Sequence, residues 1–181
     1  MAPDPRTDER GFFARAFCQR EFAALGLETG LVQANVSGSR HAGTIRGLHY
    51  QVAPAEETKL MRCIRGSAWD VIVDLRPESR TFGQWFGTEL SADNRRQLYV
   101  PRGFAHGYQT LVDDAEMFYL VSAFHSPEHE RGIRWNDPAF AIDWPVLDPL
   151  HLSPKDRAWP DFPASFAHTR DTASPTAKDI R

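Results

Sequence analysis

Apolar positions along the chain recur with a period of two far more often than with the three-to-four spacing of an amphipathic helix, and the runs that carry them are short. Trp69, Val71 and Val73 alternate with Asp70, Ile72 and Asp74. Met117, Tyr119 and Val121 alternate in the same way with Phe118, Leu120 and Ser122, so each segment can turn one set of side chains into an enclosed space. These runs predict strands over 31–36, 44–51, 59–64, 68–75, 83–90, 97–100, 105–111 and 116–123. One short peripheral helix is expected over 19–25, with Phe22 and Leu25 on one side and Gly26 ending the turn. Short strands in succession with no long helix between them favour an all-β, double-sheet jelly-roll barrel over an α/β sheet.

From Ser126 onward the alternation stops and Pro127, Pro138, Pro145, Pro149, Pro154 and Pro160 punctuate the chain, which reads as an irregular C-terminal wrapping segment. The expected organisation is one domain over 1–164 and a flexible tail over 165–181, where Phe166 and Ile180 are the only large apolar side chains.

Composition supports this picture and narrows the partners. The 181 residues include 13 Pro, 12 Gly, 12 Phe and 5 Trp, a mixture suited to many turns between short strands. With 21 basic against 24 acidic side chains the formal charge is −3, so neither nucleic acid nor an anionic membrane is expected as a partner. No apolar run is long enough for a membrane span, and Met1-Ala2-Pro3-Asp4-Pro5 lacks the pattern of a signal peptide, so a cytoplasmic protein is expected. Cys18 and Cys63 fit a reducing compartment as small hydrophobes.

Candidate chemistry begins in Arg46-Gly47-Leu48-His49-Tyr50-Gln51. Strict alternation places Arg46, Leu48 and Tyr50 on one face and Ile45, Gly47, His49 and Gln51 on the other. A histidine facing the barrel interior could exchange a proton with a bound substrate, the plain alternative being a structural imidazole. Arg46 reads either as a surface cation or as a bidentate grip on phosphate. Taken alone, Lys59 reads as an exposed strand-edge cation and Tyr119 as a core phenol.

Pro101-Arg102-Gly103-Phe104-Ala105-His106 has the PxGxxH arrangement of the second signature of metal-binding cupins. The HxH pair of the first signature is missing, since Leu48 and Tyr50 flank His49 and His41 lies too far along the chain to replace it. One ligand of that pattern does not make a first-row metal site, so no metal and no cofactor are expected. Nucleotide-binding glycine loops, nucleophile elbows and zinc-finger spacings are also missing from the sequence.

Several blocks occur together and in order: Asp8-Glu9-Arg10-Gly11-Phe12-Phe13, Gln33-Ala34-Asn35-Val36-Ser37, Arg46-Gly47-Leu48-His49-Tyr50-Gln51, Lys59-Leu60, Val73-Asp74-Leu75-Arg76, Gly103-Phe104-Ala105-His106-Gly107 and Ile133-Arg134-Trp135-Asn136-Asp137-Pro138. Together they resemble the dTDP-4-dehydrorhamnose 3,5-epimerase family. The resemblance implies a cupin-type, homodimeric jelly-roll epimerase that acts without metal on a nucleoside-diphosphate 4-keto-6-deoxyhexose. It also implies His49 as general base, Asp156 as its supporting carboxylate, Tyr119 as the acid on the opposite face of the sugar, and Lys59 as the cation at the C4 oxygen. His106 matches a further histidine of the reaction pocket.

Arg10, Phe13, Gln33, Asn35, Arg46, Glu130 and Arg131 match the recognition shell for the nucleotide sugar. Arg15 stands where the family's opening motif carries a glutamate, and His125 where an aromatic ring stacks on the base; both remain candidate nucleotide contacts with changed charge and ring area. The implied activity is epimerisation at C3, C5 or both. A 3-epimerase or related ketosugar isomerase, a non-catalytic binding module and a metal-dependent cupin remain as alternatives.

Overall fold

The computed structural model describes residues 1–148 and 150–163; the tail expected over 165–181 lies outside the described residues. A two-stranded hairpin comes first, β1 (Arg6–Asp8) and β2 (Gly11–Phe13), followed by α1 (Gln19–Ala24). Eight strands then run as β3 (Gln33–Ser39), β4 (Ile45–Gln51), β5 (Lys59–Arg65), β6 (Ser67–Asp74), β7 (Trp85–Ser91), β8 (Gln97–Val100), β9 (Phe104–Thr110) and β10 (Ala115–Val121). Short β11 (Glu130–Gly132) and α2 (Pro154–Ala158) belong to the wrapping segment.

The strands form a four-stranded sheet, β3-β10-β5-β8, and a five-stranded sheet, β11-β4-β9-β6-β7, with every pairing within them antiparallel. This is the expected cupin-type jelly roll. All eight strands read from alternation are present with ends shifted by three residues or fewer. The helix stops one residue early: Phe22 is its buried side chain, packed edge-on against Phe17, while Leu25 caps the helix and is exposed instead of sharing the buried side. Among the described residues, no helix is long and apolar enough to cross a membrane.

Two cores follow from the period-two pattern. Met61, Cys63 and Met117 of the four-stranded sheet face Ala68, Ile72, Leu90 and Tyr108 of the five-stranded sheet, closing the space between the layers. The back of the five-stranded sheet presents Ile45, Leu48, Val71, Val73 and Ala105 to Ile133, Phe140 and Trp144 of the wrapping segment. Completely buried Gln109 ties that segment down, donating to the Val146 carbonyl at 2.7 Å and accepting from the Val146 N–H at 2.9 Å. Both backbone groups are therefore satisfied where no strand partner reaches them.

Strand β4 departs from strict alternation, and the departure decides the site. Arg46 pairs with Tyr108 and His49 with His106, three steps on one strand against two on its neighbour, so one extra residue is accommodated as a bulge. Leu48 consequently joins Ile45 in the back core, whereas Arg46 and His49 share the interior face. The alternation-based separation of Arg46 from His49, with Ile45 on the side of His49, is thus corrected. Glycine is required here: Gly47 has φ +130°, and a Cβ on it would stand 2.5 Å from the Gly107 Cα and 2.8 Å from the His106 carbonyl oxygen.

Candidate active site

Strand register gathers most of the predicted polar side chains between the two sheets. On the five-stranded side, His49 of β4 lies opposite His106 of β9, and Arg46 lies opposite Tyr108. On the four-stranded side, Tyr119 of β10 pairs with Asn35 and Met61, and Val121 pairs with Gln33 and Lys59, placing Gln33, Asn35, Lys59 and Tyr119 on one face with the Met61 core. The imidazole of His49 and the phenol of Tyr119 therefore belong to facing walls.

Asp156 reaches His49 from 107 positions away, its Oδ1 standing 2.6 Å from His49 Nε2. The wrapping segment makes this contact possible. It runs back along the start of β4 through a Thr44–His151 bridge, with the Ile45 N–H donating to the His151 carbonyl at 2.9 Å. Ser153 then caps α2, its Oγ accepting from the Asp156 N–H at 3.0 Å and donating to Asp156 Oδ2 at 2.9 Å. Burial works against the Asp156 charge, but the bonds from His49 and Ser153 and the attraction of His49 hold its carboxyl below the usual range. Trp159 roofs the pair, with its ring 6.2 Å from that of His49. It rests on Gly132, where a Cβ would come within 2.2 Å of the indole.

A second histidine–carboxylate pair lies deeper. His106 Nε2 is 2.8 Å from Asp70 Oδ1; Asp70 is fully buried, and its Oδ2 has no hydrogen-bond partner among the described residues. On the facing wall, Lys59 Nζ is 3.1 Å from Glu57 Oε1, with both side chains nearly buried. Burial pushes the Tyr119 phenol up, the Glu57 charge pushes it further, and Arg46 opposes. Arg46 is anchored by donating Nε to Ser39 Oγ at 3.3 Å and Nη2 to the Gly38 carbonyl at 3.0 Å. Gln33 Nε2 donates to Asn35 Oδ1 at 2.8 Å.

At the rim, Glu130 pairs with Lys155 at 2.6 Å and stands 3.8 Å from His125, an exposed ring. Lys155 and His125 help hold the Glu130 carboxyl below its usual range although burial opposes them. Arg131 lies opposite Tyr50, on the back-core side of β11, and donates to the Glu128 and Glu130 carbonyls. Arg10, Phe13 and Arg15 also stand outside the two-sheet interior of their own chain. Arg10 pairs with Asp8 on the hairpin, Phe13 is 69% exposed, and Arg15 pairs with Glu21. A separate cavity of about 580 Å³ beside α1 is lined by Phe13, Arg15, Cys18, Glu21 and Gln97 among others.

Five participants escaped sequence reasoning: Glu57, Asp70, Ser153, Lys155 and Trp159. Two had local signals. Asp70 is a charge in an otherwise apolar alternating strand, a position that demands a buried partner. Ser153-Pro154-Lys155-Asp156 carries a helix start, with Ser at the cap, Pro at the first position and an acid in the first turn. Among the described residues, no group of three or more His, Cys, Asp or Glu is arranged to hold a metal ion. What the geometry offers is a histidine–aspartate base on one wall, a neutral phenol on the other, and cations beside both.

A family model described as dTDP-4-dehydrorhamnose 3,5-epimerase matches residues 1–164. A dTDP-4-dehydrorhamnose 3,5-epimerase from Shigella flexneri is 51% identical over 150 residues, spanning 82% of this chain and 82% of that protein. A protein of the same name from Sinorhizobium fredii is 45% identical over 166 residues, covering 90% and 85% respectively. Among solved structures, the fold is similar to that of the Legionella pneumophila dTDP-6-deoxy-D-glucose-3,5-epimerase in complex with dTDP-4-keto-L-rhamnose. That match has a TM-score of 0.84 and 41% identity and covers 91% of this chain and 88% of the other.

Proposed function

This chain belongs to the dTDP-4-dehydrorhamnose 3,5-epimerase family, and from that premise we propose that its barrel inverts C3 and C5 of dTDP-4-dehydro-6-deoxyglucose through an enolate. It is a carbohydrate epimerase. The observation that carries the mechanism is the placement of His49 and Tyr119 on facing sheets. The C4 ketone acidifies the hydrogens on C3 and C5, because the charge left by proton removal spreads onto oxygen. His49 takes a proton from one face of the ring. Asp156 fixes the tautomer and stabilises the imidazolium that forms. Lys59 offers its cation to the C4 oxygen as negative charge develops there, favouring the transition state over the ground state. Tyr119, kept neutral by burial, returns a proton from the opposite face and inverts the carbon.

His106, braced by Asp70, lines the same interior and contributes a second imidazole beside the sugar. Arg46, Gln33 and Asn35 hold the ligand on the barrel side, and Arg46 suits the diphosphate. Arg10, Phe13 and Arg15 act from a second copy of the chain in a homodimer, where the hairpin of one protomer completes the recognition shell of its partner. Exposed Phe12 and Phe13 on that hairpin and exposed Val36 on edge strand β3 support such an assembly. Residues 1–164 act as one domain. The free Cys18 and Cys63 suit a reducing, cytoplasmic setting.

The test is deuterium incorporation from heavy water into dTDP-4-dehydro-6-deoxyglucose, followed at C3 and C5. Exchange at both carbons is expected, with His49→Ala suppressing it and Tyr119→Phe retaining proton abstraction while losing inversion. Exchange confined to C3 would reassign the enzyme as a 3-epimerase, and saturable binding without exchange would make it a binding module.

A further inference from the structure

Glu57 has no role in the mechanism above, yet it occupies one of its most sensitive positions. Its carboxylate stands 3.1 Å from the Lys59 ammonium, with side-chain exposures of 12% and 13%. Exposed ion pairs contribute little to stability, and for a pair withdrawn from water, as this one is, desolvation opposes the Coulombic gain. A buried pair of opposite charges inside a reaction site is better explained by what it does there. The backbone between the two residues is clamped. Thr58, 1% exposed, donates its N–H to Ser122 Oγ at 2.8 Å and accepts the Ser122 N–H at 3.0 Å. Its hydroxyl donates to Glu28, which is itself gripped by two bonds from Arg102 at 2.7 Å. Such anchoring prevents the pair from relaxing as charge shifts nearby.

We propose that Glu57 is a positioning residue for the epimerisation, fixing the Lys59 ammonium inside the barrel and presenting its negative charge to Tyr119. This rests on the roles assigned above to Lys59 and Tyr119. The ionisable groups that act on the phenol are Glu57 from the segment just before β5, Arg46 from β4 and Tyr108 from β9, with Lys59 paired to Glu57 and His106 beside Tyr108. Of these, Glu57 supplies the anion. Burial opposes phenolate formation most strongly, Glu57 adds to that opposition, and Arg46 works against both. A carboxylate that also tethers Lys59 links the enolate-stabilising cation to the proton donor through one side chain.

The test compares wild type with Glu57→Gln and Glu57→Asp, measuring heavy-water exchange and product inversion across pH. The near-isosteric Gln keeps a hydrogen-bond acceptor for Lys59 and removes the charge. Without that charge the phenolate forms more easily, so the basic limb of the kcat profile should move to lower pH by about half a unit or more. The same variant should lower kcat about tenfold with KM within about twofold of wild type, since Glu57 is not assigned to the nucleotide. Asp restores the charge on a shorter arm, so its basic limb should return to the wild-type position while kcat stays reduced. A Gln variant whose kcat and pH profile superimpose on wild type overturns the proposal. Should Gln fail to fold, the Asp variant decides: lowered kcat with an unmoved basic limb supports the role, and unchanged kcat overturns it. Wild-type protein that shows no exchange removes the functional reading itself, an outcome distinct from variants that match an active wild type.

Discussion

Asp156 shows how one side chain acquires a role from its surroundings. Its carboxylate is 2.6 Å from His49, is held by the Ser153 hydroxyl, and lies beneath Trp159, whose ring packs edge-on to His49. The bonds to the charged form outweigh burial and keep its pKa below the ordinary value, so it remains an anion through neutral pH. Asp156→Asn should preserve the shape and the Ser153 contact but remove the charge that supports the imidazolium. A fall in kcat of about 10²- to 10⁴-fold with a small change in KM is expected, read from single-turnover exchange at saturating sugar nucleotide. A wild-type rate in that variant would move the supporting role elsewhere. Asp156 does not stand near His49 in the chain; the family resemblance named it, and the helix start at Ser153 is the local signal of order in a segment that otherwise reads as irregular.

Strand β4 is the element on which the site depends. Had it kept perfect alternation, Arg46 and His49 would have faced opposite layers, and the imidazole would have been separated from the cation on its own strand. The bulge between them resets the face, and Gly47 permits the close approach to β9 that the bulge requires. A methyl group there would meet backbone atoms that cannot rotate away. Gly47→Ala should therefore destabilise the fold by more than about 3 kcal/mol, measured from the urea midpoint, because both a positive φ and a backbone clash are involved. Unchanged stability would show that β4 can be rebuilt without the bulge. The existence of β4 was legible from its residues. The bulge was not, since Arg46-Gly47-Leu48-His49 reads equally well as an unbroken strand until β9 lies beside it.

Over the whole molecule, charge and apolar surface are distributed for two different purposes. A net charge of −3 coexists with Arg46 and Lys59 turned into the barrel, where Glu57 is also nearly buried and Asp70 fully buried. Outside, Phe12, Phe13 and Val36 remain exposed on the hairpin and on edge strand β3. The homodimer reading predicts a light-scattering mass of two chains. Val36→Glu, at a position 64% exposed in the single chain, should leave the fold intact and shift the mass to one chain. A wild-type monomer with full activity would overturn the dimer and the assignment of Arg10, Phe13 and Arg15 to a partner's site.

Residue order alone determined the eight barrel strands and the all-β class and, through the motif blocks, named the candidate reactive residues, while it missed β1, β2, β11 and α2. Period-two burial is a local property, and the motif blocks are contiguous. Tertiary structure decided which of these residues share a space. It turned His49 to the face of Arg46, brought Asp156 across 107 positions to the imidazole, paired buried Asp70 with His106, and tied Glu57 to Lys59. It also left Arg10, Phe13 and Arg15 outside the barrel of their own chain. The division has one physical cause. Alternation and turn chemistry act between neighbours in the chain, whereas the protonation and reach of a catalytic group depend on whatever packing places within a few ångströms of it.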